Sequence, residues 1–149
     1  MLSADRTLRM KMGPRRAMFA GTAAVGFAIY RGAIAAVCTD GTLVPAASAN
    51  TPSPIAAILG IARHQQINTA NFPGVGAFVG SVTPVECETG CFALPFVETA
   101  PTWANKGQPV YAVDDESVSL TETPSGGTAR LQVGTFAGLD ADGTAYTEI

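Results

Sequence analysis

A chain of 149 residues, 47% hydrophobic and 14% charged, is long enough for one domain with a real core and too apolar to be disordered as a whole. So little charge is low for a freely soluble monomer and points to a surface partly covered by a partner. The net charge of −3 is unevenly divided: residues 1–16 carry five cations and one acid, +4, and the remainder four cations and eleven acids, −7.

Residues 1–16 lack apolar periodicity and end in Gly13-Pro14-Arg15-Arg16. They read as an extended basic arm, with 17–149 as a β-rich body. A basic arm on an acidic body points to an acidic surface that the arm meets, from another protein or a nucleic acid; the plainer alternative is a solvated tail. The run Ala17 to Tyr30, AMFAGTAAVGFAIY, imitates a signal peptide, with arginines before it and Ala33-Ile34-Ala35 as a small-x-small site. Gly21 and Gly26 break its centre and Arg31 interrupts it, and a membrane span needs about 20 residues. The favoured expectation is that Val25–Tyr30 forms the first buried strand.

Gly32–Val37 is expected as a second strand, Asp40-Gly41 as a turn, and Leu43–Ala46 as extended chain. Ser48–Pro54 is dense in breakers and reads as a loop. Ile55–Ile67 is ambiguous, because its apolar spacing tolerates a helix while Gly60 sits in the middle; a strand through Ile58–Arg63 is favoured. Asn68–Gly76 reads as a loop, and Ala77–Val82 and Val85–Cys87 as short strands. In Cys91–Phe96, Phe92, Leu94 and Phe96 share one face at period two. Asn105–Thr121 reads as one hairpin. Gln108–Val113 is its first strand, Asp114–Ser117 is a turn rich in side chains that bond the local backbone, and Val118 and Leu120 alternate with polar residues. Pro109 suits the first residue of a strand. Leu131–Phe136, a turn at Leu139–Gly143, and Thr144–Ile149 complete the chain. Strands recurring every 8–12 residues or so predict an all-β fold, a small β-sandwich or β-barrel-like domain.

Signals for chemistry are weak. Gly74–Gly80 has the spacing G-x-G-x-x-x-G, but no strand precedes it and no helix follows to aim N–H groups at a phosphate. Asp140-Ala141-Asp142-Gly143 matches the start of a calcium loop without its later ligands, and reads as a hairpin turn. Asp114-Asp115-Glu116 reads as a solvated hairpin tip rather than a catalytic carboxylate pair. His64 is the single histidine, Cys38, Cys87 and Cys91 form no CxxC pair, and no G-x-S-x-G occurs. A Cys87–Cys91 disulfide is open, with free thiols favoured. The residues thus nominate no catalytic group, metal site or cofactor. Nucleic-acid binding would rest on the arm's cations alone, without interleaved aromatics for stacking.

The order of features carries a resemblance. Ile58-Leu59-Gly60-Ile61-Ala62 comes first, then Gly90-x-Phe92-x-Leu94-Pro95, then Lys106-Gly107-Gln108-Pro109-Val110-Tyr111. Asp114-Asp115, Val118-Ser119-Leu120-Thr121, Val133-Gly134-Thr135-Phe136 and the turn Asp140–Gly143 follow. From about Gly32 to Ile149 this resembles the small capsid cement, or head-decoration, proteins of tailed bacteriophages. The resemblance implies a structural, non-enzymatic module on the outer surface of the virion head. There it would clamp neighbouring copies of the major capsid protein, often as a homo-oligomer, with neither nucleic acid nor membrane as partner. The long basic N-terminus is not a fixed feature of that family. Residues 1–16 are expected to act as a capsid tether, with Arg6, Arg9, Lys11, Arg15 and Arg16 as contact residues. Two other classes stay open: a secreted or tail-associated β module binding a cell-surface ligand, and a small enzyme using a cysteine.

Overall fold

The computed structural model describes residues 1–11, 17–69 and 84–149. The expected strand Ala77–Val82 and the glycine pattern Gly74–Gly80 lie outside them. The chain forms β1 (Met10–Lys11), β2 (Met18–Gly21), β3 (Ala28–Ile29), β4 (Ile34–Cys38), β5 (Leu43–Pro45), β6 (Ile55–Ala62) and β7 (Gln66–Ile67). After these come β8 (Val85–Glu88), β9 (Cys91–Ala93), β10 (Pro109–Ala112), β11 (Val118–Ser119), β12 (Gln132–Leu139) and β13 (Ala145–Glu148). Among the described residues the only helical piece is a 3-10 turn, Trp103–Asn105.

Two antiparallel sheets make a small sandwich. One has the order β1-β9-β13-β12-β10-β11, the other β2-β8-β6-β4-β5, and β3 and β7 form a separate ribbon. Ile34 and Ile61 of the second sheet meet Phe92, Val110, Val118, Val133 and Phe136 of the first in one apolar cluster. Phe92 and Leu94 point into it and Phe96 packs at its margin, as their period-two spacing predicts. A second cluster uses the opposite face of the β4–β6 sheet, where Ala33, Ala35, Ala62 and Val85 pack with Ile29 of β3. β4, Ile-Ala-Ala-Val-Cys, is therefore covered on both faces, and its small residues leave room for a layer on each side.

The central hairpin forms as expected, with Tyr111 opposite Ser119 and Ala112 opposite Val118. Asp114 closes its turn: Oδ1 accepts from the backbone N–H of Glu116 at 2.9 Å and of Ser117 at 2.7 Å, and from Ser117 Oγ at 2.8 Å. Gly60 lies inside strand β6, which settles the ambiguity of Ile55–Ile67 for a strand. The run Ala17–Tyr30 departs from expectation. Its first strand is Met18–Gly21, paired to β8, and Val25 is 85% exposed. The chain turns at Gly26, whose φ is +88°, and only Ala28–Ile29 of the expected Val25–Tyr30 strand is extended and paired.

One side-chain clamp ties the segment after β9 to the first sheet. Arg130 Nη2 donates to Glu98 Oε1 at 2.6 Å, and Ser119 Oγ donates to Glu98 Oε2 at 2.6 Å. Arg130, then Ser119, lowers the Glu98 carboxyl from 4.5 to about 2. A depressed acid contributes stability that is complete above its unfolded value and lost as the pH falls through its folded one. The wild type should therefore lose stability between pH 4.5 and about 2 more steeply than Glu98→Gln. Urea midpoints measured across that window for the two proteins check this; parallel curves would remove Glu98 from the acid response.

Candidate functional site

The basic N-terminal segment is the one feature that the sequence marks for an interaction. Residues 1–11 run extended across the body. Leu2, Arg6 and Leu8 are the half-buried members of this stretch, and the rest are exposed. Leu2 packs against the second apolar cluster and Leu8 against the first, so the segment crosses from one layer to the other. Main-chain bonds hold it at intervals: Leu2 N–H donates to Asp115 Oδ1 at 3.0 Å, Arg6 N–H to Arg31 O at 2.9 Å, and Ala93 N–H to Arg9 O at 2.8 Å. Met10 and Lys11 then pair with Phe92 and Cys91 as the edge strand β1.

Each described cation of the segment meets the body. Arg6 Nε donates to Gly32 O at 3.0 Å and Nη1 to Glu116 O at 2.8 Å. Burial lowers the affinity of Arg6 for its proton, and Glu116, Asp115 and Asp114 oppose that. Arg9 Nη1 lies 2.9 Å from Asp142 Oδ2 and also donates to Thr144 Oγ1. Lys11 Nζ lies 3.1 Å from Asp140 Oδ2 and 4.9 Å above the centre of the Tyr146 ring. Thr144 and then Arg9 hold the Asp142 carboxyl well below its usual range; the Ala141 N–H and then Lys11 lower Asp140. Asp115 is buried, and that burial raises its carboxyl. The Met1 ammonium sits 3.4–3.9 Å from Glu116, Asp114 and Asp115. Of the five expected contact residues, the fold brings Arg6 to the turn Asp114–Ser117, and Arg9 and Lys11 to the turn Asp140–Gly143. Arg15 and Arg16 lie outside the described residues.

The two turns thus serve as seats for cations. In Asp140–Gly143, Asp142 Oδ1 accepts from Thr144 N–H at 3.0 Å and Asp140 Oδ1 from Ala141 N–H at 3.0 Å, so one oxygen of each carboxylate shapes the turn while the other faces the arm. No group of three or more His, Cys, Asp or Glu side chains suited to a metal occurs among the described residues. His64 Nε2 is 2.8 Å from the Pro84 carbonyl, which consumes that nitrogen as a donor. The three cysteines are unpaired. Burial pushes the Cys87 thiol up to about 12 and also raises Cys91, the opposite of what a thiolate nucleophile needs. A concavity of about 540 Å³ beside Ala47, Ile55 and Leu131 has Ser48, Thr128 and Arg130 as its polar side chains. Ser48 Oγ is committed to Pro45 O at 2.6 Å, and Arg130 to Glu98.

Comparison with family models, characterised proteins and solved structures gives no match.

Sequence reasoning marked both acidic turns as turns and the arm as seeking acid, but did not join them. The available signal was the charge split itself, since the nearest acidic surface to a basic arm is the body that carries it. It also missed the apolar edge: Met18 and Phe19 of β2 are 54% and 52% exposed, and among the described residues β2 pairs on one side alone, with β8.

Proposed function

We propose that this protein is a structural component of a tailed-phage virion, a capsid cement or decoration protein. It binds the outer surface of the major capsid lattice as an oligomer and stabilises the head. The observation that carries this proposal is the order of features from Gly32 to Ile149, whose described residues supply most strands of the two-sheet sandwich. The Gly60 strand, the Phe92–Leu94 face, the Lys106–Tyr111 lead into the hairpin and the Val133–Phe136 strand all contribute to it. Supporting this are the low charge of the chain and the apolar edge at Met18 and Phe19, a row of backbone groups and side chains suited to main-chain pairing with a partner.

Co-sedimentation of the purified protein with expanded, undecorated heads of its phage tests the proposal. Saturable binding at a fixed ratio to the capsid subunit is the expected result. Failure of a folded protein, checked by circular dichroism, to sediment with heads would overturn it.

A further inference from the structure

Of the described arm cations, Arg9 and Lys11 already meet carboxylates in the isolated chain, the chemistry that an acidic partner would offer, and Arg6 is held by two carbonyls. We infer that residues 1–11 form a clasp that closes the basic arm onto the body, so that a partner must compete with the protein's own two acidic turns for Arg6, Arg9 and Lys11. As a mode of capsid attachment this rests on the function proposed above; the clasp itself does not.

The seat is shaped to its occupant. Gly32 has φ +86°, and a Cβ there would lie 2.6 Å from Arg6 O, so the strap's backbone lies directly on this position. Arg6 Nε and Nη1 are spent on two carbonyls from different loops, Gly32 and Glu116. Exposed ion pairs such as Arg9–Asp142 contribute little individually. The hold therefore comes chiefly from Leu2, Leu8, the Arg6 bonds and the main-chain pairing of Met10 and Lys11 with β9. Against that hold, Arg6 Nη2 is buried without a hydrogen-bond partner among the described residues. That cost exists only while the strap is seated, because water satisfies the group once it leaves. Opening would free three cations and uncover the apolar seats of Leu2 and Leu8 together. A closed clasp keeps the arm from being captured by unrelated acidic surfaces, and an acidic partner pulls it open by binding the open form alone.

The test uses full-length Leu8→Ala, which weakens the clasp and keeps every cation. Trypsin cleavage within the strap, after Arg6, Arg9 or Lys11, should accelerate roughly tenfold, the size expected when a partly buried leucine loses its packing. Amide exchange in β4 and β6 should stay unchanged, showing an intact body. Binding to expanded heads, and in parallel to immobilised polyglutamate at low salt, should tighten several-fold. Leu2→Ala, at the other end of the strap, should act the same way and replaces Leu8→Ala if that variant loosens β4 and β6. Unchanged cleavage, or faster cleavage with unchanged or weaker retention on polyglutamate, overturns the clasp. Faster cleavage and tighter polyglutamate binding, with no form of the protein sedimenting with heads, upholds the clasp and rejects the cement function.

Discussion

Replacing Gly60 with alanine is expected to lower the melting temperature by roughly 10 °C, corresponding to about 3 kcal/mol for a chain of this size. Gly60 sits within β6 at φ +143°, a conformation that side chains of L-residues rarely adopt. The added Cβ would also stand 2.5 Å from Glu88 O and 2.8 Å from Glu88 C. Those are main-chain atoms of the neighbouring strand β8, so no rotamer change relieves the contact. The strands would have to part where Ile61 faces Glu88 and Ala62 faces Cys87. Gly60 also stands at a bulge: Ala35 faces Gly60 and Ala36 faces Ile58, which leaves Leu59 as the extra residue. Thermal unfolding followed by far-ultraviolet circular dichroism measures the effect. A change of less than about 2 °C would mean that β6 and β8 do not approach as closely as described.

Phe136→Ala is expected to cost about 4 kcal/mol, the range for removing a buried aromatic ring. Phe136 is 1% exposed at the middle of β12 and has the largest of the fully buried side chains. It packs edge-on against Phe96, with centroids 5.8 Å apart and planes at 84°, in the cluster that joins the two sheets. Its backbone is committed as well, accepting from Gly107 N–H and donating to Gln108 O, so the strand cannot readily shift to close the hole. The urea midpoint should fall with little change in slope. A double-mutant cycle with Phe96→Ala should return a coupling of about 1 kcal/mol for the ring pair. A loss below about 1 kcal/mol for Phe136→Ala would place the ring outside the core.

If the clasp holds, the positive arm and the negative body of this chain are two halves of one internal contact. The surface presented to a partner in the closed form is then the apolar edge at β2 more than the cations.

Local chemistry was enough to determine much of this protein. The period-two face of Phe92, Leu94 and Phe96, the proline opening β10, the Asp114 and Asp140–Gly143 turns and the frequent breakers each act over a few residues. They specify an all-β chain with a sandwich-like core without reference to anything distant. Tertiary structure alone decided the rest. Met18–Gly21 became a strand because β8 offers it a partner, while the more apolar Val25 was left in a turn. Gly60, ambiguous as a residue in its own neighbourhood, is explained by a backbone 28 positions further on at Glu88. The arm's cations were legible as charge, but the carboxylates that Arg9 and Lys11 meet lie more than a hundred residues away, at Asp142 and Asp140. The strand order β1-β9-β13-β12 within the first sheet brings Asp140 and Asp142 beside Arg9 and Lys11, and Coulomb attraction acts on distance in space and is indifferent to position in the chain.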